Sequence, residues 1–331
     1  MLSLMQSRII SSQLSQSNNT KELMKHTPEI TQKIIDLKKV GFKSRYIGKA
    51  LGVSKSSVNY VFNRHMKTQL PVENSTRKYL FIDIETLPDI AVTFKRFKAN
   101  LGQDNILKDG GTIVSISWRW IGDKTAQGLA LTPQEAIDGN DSRLCAVLYA
   151  LIEKADVLLG HNIDNFDLPM IKSRLLINKF QPPKKIKTID TLKIARQMRF
   201  PSNRLGSLGV ILGEGDKAGH SGINTWIGCM AGNQDSLDEM LAYNLEDVDL
   251  LYRVYMRLRA FDTRPLNSAL FLADETPRCP TCGSDDVHET LNSVYTPTCE
   301  YKEIECASCG TRSRGKVLIN TKTKRSSLLV N

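Results

Sequence analysis

The spacing of apolar and polar residues changes twice along the chain and divides it into three segments. Before residue 78, apolar residues recur at helical spacing, beginning with Ile30, Ile34 and Leu37. From residue 79 to about 260, alternating stretches such as Tyr79–Thr86 predict strands, and longer amphipathic stretches between them predict helices. The last segment, from residue 276, is mostly polar and contains paired cysteines. The pattern predicts a small all-α region, a larger α/β region and a small cysteine-containing end.

The N-terminal segment has the spacing of a helix-turn-helix. Thr27 before Pro28 is a helix-start signal, and a second helix is predicted to begin near Ser44. Gly48 would allow two helices to approach closely, and Gly52 would form a left-handed corner between them. The segment resembles the resolvase and repressor type of helix-turn-helix, and a three-helix bundle that binds protein is the alternative. In the first interpretation, seven side chains of the last helix point outward to DNA: Lys55, Ser56, Ser57, Asn59, Tyr60, Asn63 and Arg64.

The formal net charge of +10 at pH 7 lies in this N-terminal segment. Residues 1–78 contain 14 basic and 4 acidic residues, a net charge of +10, whereas residues 79–275 are slightly acidic. This division indicates an arm that binds phosphates and a core with another task. No stretch approaches the roughly 18 consecutive apolar residues of a membrane span, and the first residues lack a secretory signal. We therefore expect a protein of the cytoplasm, or of the host cytoplasm if a phage encodes it, with no membrane partner.

The strand predicted at Lys78–Thr86 carries two carboxylates on one face. Asp83 and Glu85 are two residues apart, so their side chains project to the same side of the strand. Two ionised carboxylates that lie close together repel each other unless a cation neutralises them. The pair therefore suggests a metal site, although a solvated strand edge has the same pattern and further carboxylates must converge on it.

Two later stretches supply such carboxylates. The stretch from Asn162 to Phe166 leads into Asp167 at a predicted junction between a loop and a helix, where Asp164 is predicted to be the N-cap. In a helix predicted over about residues 236–257, Tyr243 and Asp247 are four residues apart and therefore share one face. On the same helix, the carboxylates of Glu246 and Asp249 are predicted to face solvent.

These three stretches together resemble the motifs of the DEDDy-type 3′-5′ exonucleases, over about residues 79–260. The resemblance is closest to the proofreading domains of family-B DNA polymerases and to stand-alone exonucleases of the phage type. It implies an RNase H-like mixed sheet flanked by helices. The residues that carry the resemblance are Asp83, Glu85, Asn162, Phe166, Asp167, Tyr243 and Asp247.

The resemblance also implies a role for each of these residues in hydrolysing a phosphodiester bond with two Mg²⁺ or Mn²⁺ ions. Asp83 would bridge the two ions. Glu85 and Asp247 would complete the site of the ion that serves the attacking water, Asp167 would serve the second ion, and Tyr243 would position the water. The residues expected to contact the nucleic acid are Thr86, Leu87, Asn162 and Phe166.

The C-terminal segment contains two Cys-x-x-Cys-Gly sequences, with 23 residues between Cys282 of the first and Cys306 of the second. Paired turns of this kind present four thiolates to one structural Zn²⁺ ion, as in a zinc ribbon. Disulfides are the alternative, but they are rare in the reducing compartments where we expect this protein. The predicted zinc ligands are Cys279, Cys282, Cys306 and Cys309.

The leading hypothesis is a metal-dependent 3′-5′ exonuclease that acts on single-stranded or frayed 3′ ends of DNA. An RNA exonuclease and a non-catalytic DNA-binding regulator with a nuclease-like domain are the alternatives, and a polymerase or a recombination protein is the candidate protein partner. The predicted parts are a disordered tail over residues 1–24, a helix-turn-helix over 25–67, a linker over 68–78, an RNase H-like exonuclease domain over 79–265, a zinc ribbon over 276–318 and a basic tail over 319–331.

Overall fold

The structure is a computed structural model that describes residues 27–40, 42–69, 77–95, 97–215, 222–272 and 274–330. The chain divides into two compact units, residues 1–74 and residues 75–331. The predicted disordered tail over residues 1–24 and residues 70–76 of the predicted linker lie outside the described residues.

The N-terminal unit contains three helices, α1 (Pro28–Lys39), α2 (Ser44–Leu51) and α3 (Lys55–Gln69). Thr27 is the N-cap of α1, as predicted, and its hydroxyl accepts a hydrogen bond from the Ile30 N–H at 3.4 Å. Each helix contributes an almost completely buried apolar side chain to one core, namely Ile34, Ile47 and Val58.

The turn between α2 and α3 depends on two glycines, as the sequence predicts. Gly52 ends α2 with a φ angle of 66°, in the left-handed region that favours glycine. A Cβ atom on Gly48 would lie 2.7 Å from the carbonyl oxygen of Val53, so a larger residue would push the turn away from α2. The described part of this unit therefore has the helix order and the tight corner of a helix-turn-helix.

The larger unit is built on a mixed sheet. Its first strands are β1 (Tyr79–Thr86), β2 (Ile90–Ala91), β3 (Ile106–Lys108), β4 (Ile113–Trp120), β5 (Gln127–Ala130), β6 (Val157–Gly160) and β7 (Lys187–Asp190). β2 and β3 pair with each other, and the other five form one sheet in the order β5-β4-β1-β6-β7. β1, β6 and β7 are parallel, whereas β4 runs antiparallel to both β1 and β5.

Helices cover both faces of this sheet, and the alternation in β1 decides which side chains each face buries. Leu80 and Ile82 belong to one core, whereas Phe81 belongs to another core with Val248 and Leu251. Among the described residues, no helix combines the length and the apolar character needed to cross a bilayer. The helices are α4 (Pro133–Asp138), α5 (Ser142–Lys154), α6 (Asp167–Ile177), α7 (Thr191–Ala195), α8 (Leu205–Leu212), α9 (Ile223–Met230) and α10 (Gln234–Leu258).

A buried ion pair fixes α6 against the sheet. Asp141, which is completely buried, accepts two hydrogen bonds from the Arg174 guanidinium at 2.6 and 2.9 Å. The same carboxylate accepts from the Ile113 N–H in β4 at 2.9 Å and from the Asn178 amide at 2.7 Å. Because α6 begins at Asp167, this network also determines where that residue lies.

The C-terminal part of the same unit is a three-stranded antiparallel sheet of β8 (Val287–Tyr295), β9 (Glu300–Cys306) and β10 (Arg312–Leu318), followed by α11 (Lys322–Ser326). Ser268, which is completely buried, joins it to the preceding chain. Its N–H donates to the Pro280 carbonyl at 2.7 Å, and its hydroxyl donates to the Cys279 carbonyl at 3.3 Å. The first cysteine pair is therefore attached by hydrogen bonds to the segment that follows α10.

Candidate active site

Three carboxylates converge near the carboxyl end of β1. Asp83 and Glu85 project from the same face of the strand as Phe81, the face against which α10 packs, and α10 contributes Asp247. One oxygen from each carboxylate lies within 4.8 Å of the others. Asp247 is only 3% exposed, whereas Asp83 and Glu85 are half-buried. The fold thus brings together carboxylates that are far apart in the sequence.

A buried amide orients the first of these carboxylates. Asn244 on α10 is completely buried, and its Nδ2 donates to Oδ2 of Asp83 at 2.6 Å. The Ser115 hydroxyl on β4 in turn donates to Oδ1 of Asn244 at 3.3 Å. The sequence interpretation did not select Asn244, although its position three residues before Asp247 places both on one helical face. The structure therefore shows that Asn244 connects the Asp83 carboxylate to Ser115 through hydrogen bonds.

Asp167 lies beside this group but is not one of its three members. Its carboxylate is 2% exposed and accepts from the N–H of Ile84 at 3.3 Å, so it lies against the backbone of β1. The pKa of Asp167 is raised to about 7, mainly by burial and also by the nearby carboxylate of Asp190, against the lowering effect of backbone hydrogen bonds. A cation near this carboxylate would favour its ionised form.

The predicted N-cap of α6 is wrong. The N-cap residue is Phe166, without a side-chain cap, and the helix begins at Asp167. The carboxylate of Asp164 instead accepts from the Thr188 hydroxyl and the Lys193 ammonium, both at 2.6 Å. Asp164 thus connects its loop to β7 and α7 by hydrogen bonds, and the spacing of residues in the sequence could not predict these partners.

Tyr243 and the two remaining acidic residues of α10 lie in different environments. Tyr243 is half-buried and precedes Asp247 by one turn, as predicted, and Glu246 is exposed, also as predicted. The prediction that Asp249 faces solvent is wrong. Its carboxylate accepts from the Arg119 guanidinium at 2.8 Å and from the Ala126 N–H at 2.9 Å, which connects α10 to β4 and to the start of β5.

The residues predicted to contact substrate differ in accessibility. Phe166 is 43% exposed, and Asn162 has a φ angle of 69° in the loop between β6 and α6. Thr86 is half-buried, and its carbonyl accepts from the Trp226 indole N–H at 3.1 Å. Leu87 is only 4% exposed and packs in the core, so the structure does not support a substrate contact by this side chain.

A cavity of about 750 Å³ opens beside Asn162. Its lining includes the exposed guanidinium-bearing residues Arg196 and Arg204, and also His161. The imidazole of His161 forms 2.9 Å hydrogen bonds with the Thr191 hydroxyl and with the backbone carbonyl that precedes Arg204. One guanidinium group can donate two parallel hydrogen bonds to the oxygens of one phosphate, so this side of the site has donors for a nucleic-acid backbone.

Seven residues are predicted to point outward from α3, and of the five whose side chains the structure describes, one is buried. Ser57 is 5% exposed, because its N–H donates to the Ser54 hydroxyl at 3.0 Å in the first turn of the helix and its own hydroxyl lies 3.0 Å from the same group. Asn59 is half-buried and accepts from the Ser44 hydroxyl at 2.7 Å. The side chains of Asn63 and Arg64 lie outside the described residues. Lys55, Ser56 and Tyr60 are exposed.

The four predicted cysteine ligands form a second cluster. Their sulfur atoms all lie within 4.8 Å of one another, at 3.5 Å between Cys282 and Cys306 and 3.6 Å between Cys279 and Cys309. A disulfide needs about 2.05 Å, whereas four sulfurs at about 2.3 Å from a tetrahedral ion are about 3.8 Å apart. All seven cysteines lie in the described residues, and all are free thiols.

The two clusters fit metal ions of different chemistry. The carboxylates Asp83, Glu85 and Asp247 offer hard oxygen ligands, which Mg²⁺ and Mn²⁺ prefer. The cysteine cluster offers four soft sulfur ligands, leaving no open coordination position, which is typical of structural zinc. The chemistry of each donor set therefore agrees with the ion that the sequence predicts for it.

Comparison with known proteins gives one positive result. A family model described as the RNase H superfamily matches residues 107–259, a range that includes Asp167, Tyr243 and Asp247. The comparison with curated proteins gives no match. The match and the five-stranded mixed sheet flanked by helices identify an RNase H-like α/β fold, as predicted. This fold supports a nuclease domain with a nucleic-acid substrate and divalent metal ions.

Proposed function

We propose that the protein is a metal-dependent 3′-5′ exonuclease that hydrolyses DNA at single-stranded or frayed 3′ ends. The observation that carries this proposal is the convergence of Asp83, Glu85 and Asp247 within 4.8 Å, with Tyr243 one helical turn before Asp247. This arrangement resembles that of the DEDDy-type exonucleases, which are named for four carboxylates and a tyrosine, and Asp167 would be the fourth carboxylate. The 3′-5′ direction rests on this resemblance.

Each residue of the site would have a defined role. Asp83, Glu85 and Asp247 would hold the divalent ions, and Asp167, buried against the backbone of β1, would serve the second ion. When bound, the ions supply an activated water and neutralise the charge that develops on the leaving oxygen. Tyr243, half-buried beside the carboxylates, would orient the attacking water through its phenol.

The substrate strand would approach from the side of the β6–α6 loop. Asn162 and Phe166 lie in and at the end of this loop, and Thr86 ends β1 next to the carboxylates. The cavity lined by Arg196 and Arg204 would receive backbone phosphates of the same strand. A substrate contact by Leu87 is not part of the proposal, because that side chain is buried.

The deciding experiment uses purified full-length protein and oligonucleotides labelled at the 5′ end. Single-stranded DNA, duplex DNA with a frayed 3′ end and single-stranded RNA are each incubated with Mg²⁺, with Mn²⁺ and without added ions. We expect a ladder that shortens from the 3′ end of DNA in the presence of either ion. Faster degradation of RNA would favour the RNA exonuclease instead.

A matched pair of variants separates catalysis from a general loss of charge. Asp247→Asn removes one carboxylate of the site, whereas Glu246→Gln removes an exposed carboxylate from the neighbouring position of the same helix. We expect Asp247→Asn to abolish the ladder and Glu246→Gln to leave it unchanged. DNA binding without cleavage by the unmodified protein under every condition would instead favour the non-catalytic regulator.

The N-terminal helices and the cysteine-containing sheet would target this activity to nucleic acid. Lys55, Ser56 and Tyr60 are exposed on α3, the helix that would enter the major groove. If Lys55 contacts a phosphate, Lys55→Ala should reduce the slope of log affinity against log salt by about 1. An unchanged slope would remove Lys55 from the proposed interface. A polymerase or recombination protein as partner remains a prediction.

A further inference from the structure

The loop between β2 and β3 exposes two phenylalanines to an unusual extent. Phe94 is 102% exposed and Phe97 is 82% exposed, so both rings lie largely in solvent. Large aromatic side chains are normally buried, because each ring removes a large apolar area from water. Two solvent-exposed rings in the same loop indicate a surface that binds a ligand or a macromolecule.

The charges around these rings restrict what that partner can be. Lys95 and Lys98 lie beside the phenylalanines and are exposed. Residues 90–103 contain no aspartate or glutamate. Aromatic rings interleaved with cations are the combination that binds single-stranded nucleic acid, because bases stack on the rings while cations contact the phosphates.

The loop is closed at its base by Asn105. Its N–H and Oδ1 pair with the backbone of Gly102, at 3.0 and 2.9 Å. Its carbonyl accepts from the Val92 N–H at 2.9 Å, and its Nδ2 donates to the Val92 carbonyl at 3.1 Å. Further along the loop, the Thr93 hydroxyl accepts a hydrogen bond from the Lys95 N–H and donates one to the Lys95 carbonyl, both at 3.1 Å. The exposed rings therefore extend from an anchored loop.

The base of the hairpin is packed against the end of β1. The Gly111 N–H donates to the Leu87 carbonyl at 2.8 Å, and the Leu87 N–H donates to the Thr112 carbonyl at 2.9 Å. A Cβ atom on Gly110 would lie 2.5 Å from the backbone of Pro88, so the two segments touch directly. The loop thus leaves the sheet immediately after the strand that carries Asp83 and Glu85.

We propose that Phe94 and Phe97 form a stacking platform for unpaired bases of the single-stranded nucleic acid that enters this site. The proposal rests on the proposed nuclease function, because that function supplies the strand near β1. The platform would hold bases upstream of the scissile end and would distinguish an unpaired strand from a duplex, whose bases are already stacked.

The test separates stacking from the electrostatic attraction of the basic segments. Binding of full-length protein to a fluorescent strand of 20 thymidines is compared, by anisotropy, with binding to a strand of 20 abasic residues with the same phosphates. No divalent ions are added, so that the strand is not consumed. We expect the natural protein to prefer the thymidine strand by about tenfold, the order expected for one or two stacked bases.

Three variants assign this preference to the loop. Phe94→Ala combined with Phe97→Ala should reduce the preference at least fivefold, toward equal affinity for the two strands. Phe94→Trp combined with Phe97→Trp should retain it, because tryptophan also stacks. Leu291→Ala removes a fully exposed apolar side chain from β8 and should leave it unchanged.

The outcomes distinguish this proposal from its alternatives. If the double alanine variant keeps the preference for bases, or if the natural protein has none, the platform is wrong. Loss of binding to vesicles of anionic phospholipid in the double alanine variant, with the base preference intact, would make the loop a membrane contact instead. Because the measurement requires no cleavage, base preference in a protein that degrades no substrate would overturn the nuclease proposal alone.

Discussion

The side-chain amide of Asn244 donates a 2.6 Å hydrogen bond to Oδ2 of Asp83, and it connects α10 to β1 inside the site. Because Asn244 is completely buried, its loss would leave both the Asp83 carboxylate and the Ser115 hydroxyl without this partner. We expect Asn244→Ala to lower the apparent affinity for Mg²⁺ by about 10- to 100-fold, as for other residues that orient metal ligands. The measurement is the Mg²⁺ dependence of cleavage.

Two controls separate positioning from folding. Ser115→Ala removes only the hydrogen bond to Asn244 and should have a smaller effect on the Mg²⁺ dependence. Urea unfolding of each variant should show losses of about 1–3 kcal/mol or less. If Asn244→Ala lowers stability but leaves the Mg²⁺ dependence unchanged, Asn244 is only a structural residue.

Removal of one partner of the buried ion pair of Asp141 and Arg174 should strongly destabilise the larger unit. Asp141→Ala would leave the Arg174 guanidinium, which is only 13% exposed, without its carboxylate. We expect the free energy of unfolding to fall by about 3–5 kcal/mol, the usual cost of breaking a buried pair. Urea denaturation measures this, and Asp138→Ala, at an exposed position near the end of α4, should change it by less than about 0.5 kcal/mol. A small effect of Asp141→Ala would mean that water replaces the lost carboxylate.

The cysteine cluster should bind one zinc ion per chain. Elemental analysis of the purified protein should show this ion, and Cys306→Ser should lose it together with the order of β8, β9 and β10. Cys299→Ser is the matched control, because Cys299 lies in the same sheet region but outside the cluster, and it should retain the ion. A protein that contains no zinc, or a Cys306→Ser variant that retains it, would contradict the assignment.

The corner of the N-terminal unit should not tolerate a side chain at Gly48. In Gly48→Ala, the new methyl group would lie 2.7 Å from the Val53 carbonyl oxygen, so the backbone between α2 and α3 must move. We expect a loss of about 1–3 kcal/mol, the usual cost of overpacking, seen as faster hydrogen exchange of the α2 and α3 amides. Ala50→Ser, at an exposed position of the same helix, should leave the exchange rates unchanged.

Local patterns in the sequence were sufficient for much of the fold. The alternation in Tyr79–Thr86 predicted β1 and placed Asp83 and Glu85 on one face, and the spacing of Tyr243 and Asp247 predicted their common face of α10. The mixed sheet flanked by helices is confirmed. Patterns of period two or of about 3.6 residues report which side of an element is buried, and these predictions needed nothing more.

Two of the predictions that were wrong concern partners from distant parts of the chain. Asp249 was expected in solvent, but Arg119 on β4 reaches it. Asp164 was expected to cap α6, but Thr188 and Lys193 bind it. Such contacts depend on the order in which strands assemble in the sheet, which periodicity within one element does not contain. For the same reason, the pairing of Asn244 with Asp83 could not be predicted.

Arg119 has a consequence for the carboxylates, because it holds α10 at two points, through Asp249 at 2.8 Å and through the face of the Tyr252 ring at 3.7 Å. Both contacts follow Asp247, at two and five residues after it, and they attach this part of α10 to β4. Folding therefore brings the three carboxylates close together, where they repel one another. A cation bound there would relieve this repulsion only in the folded state, so by mass action the melting temperature should rise with the concentration of the divalent ion.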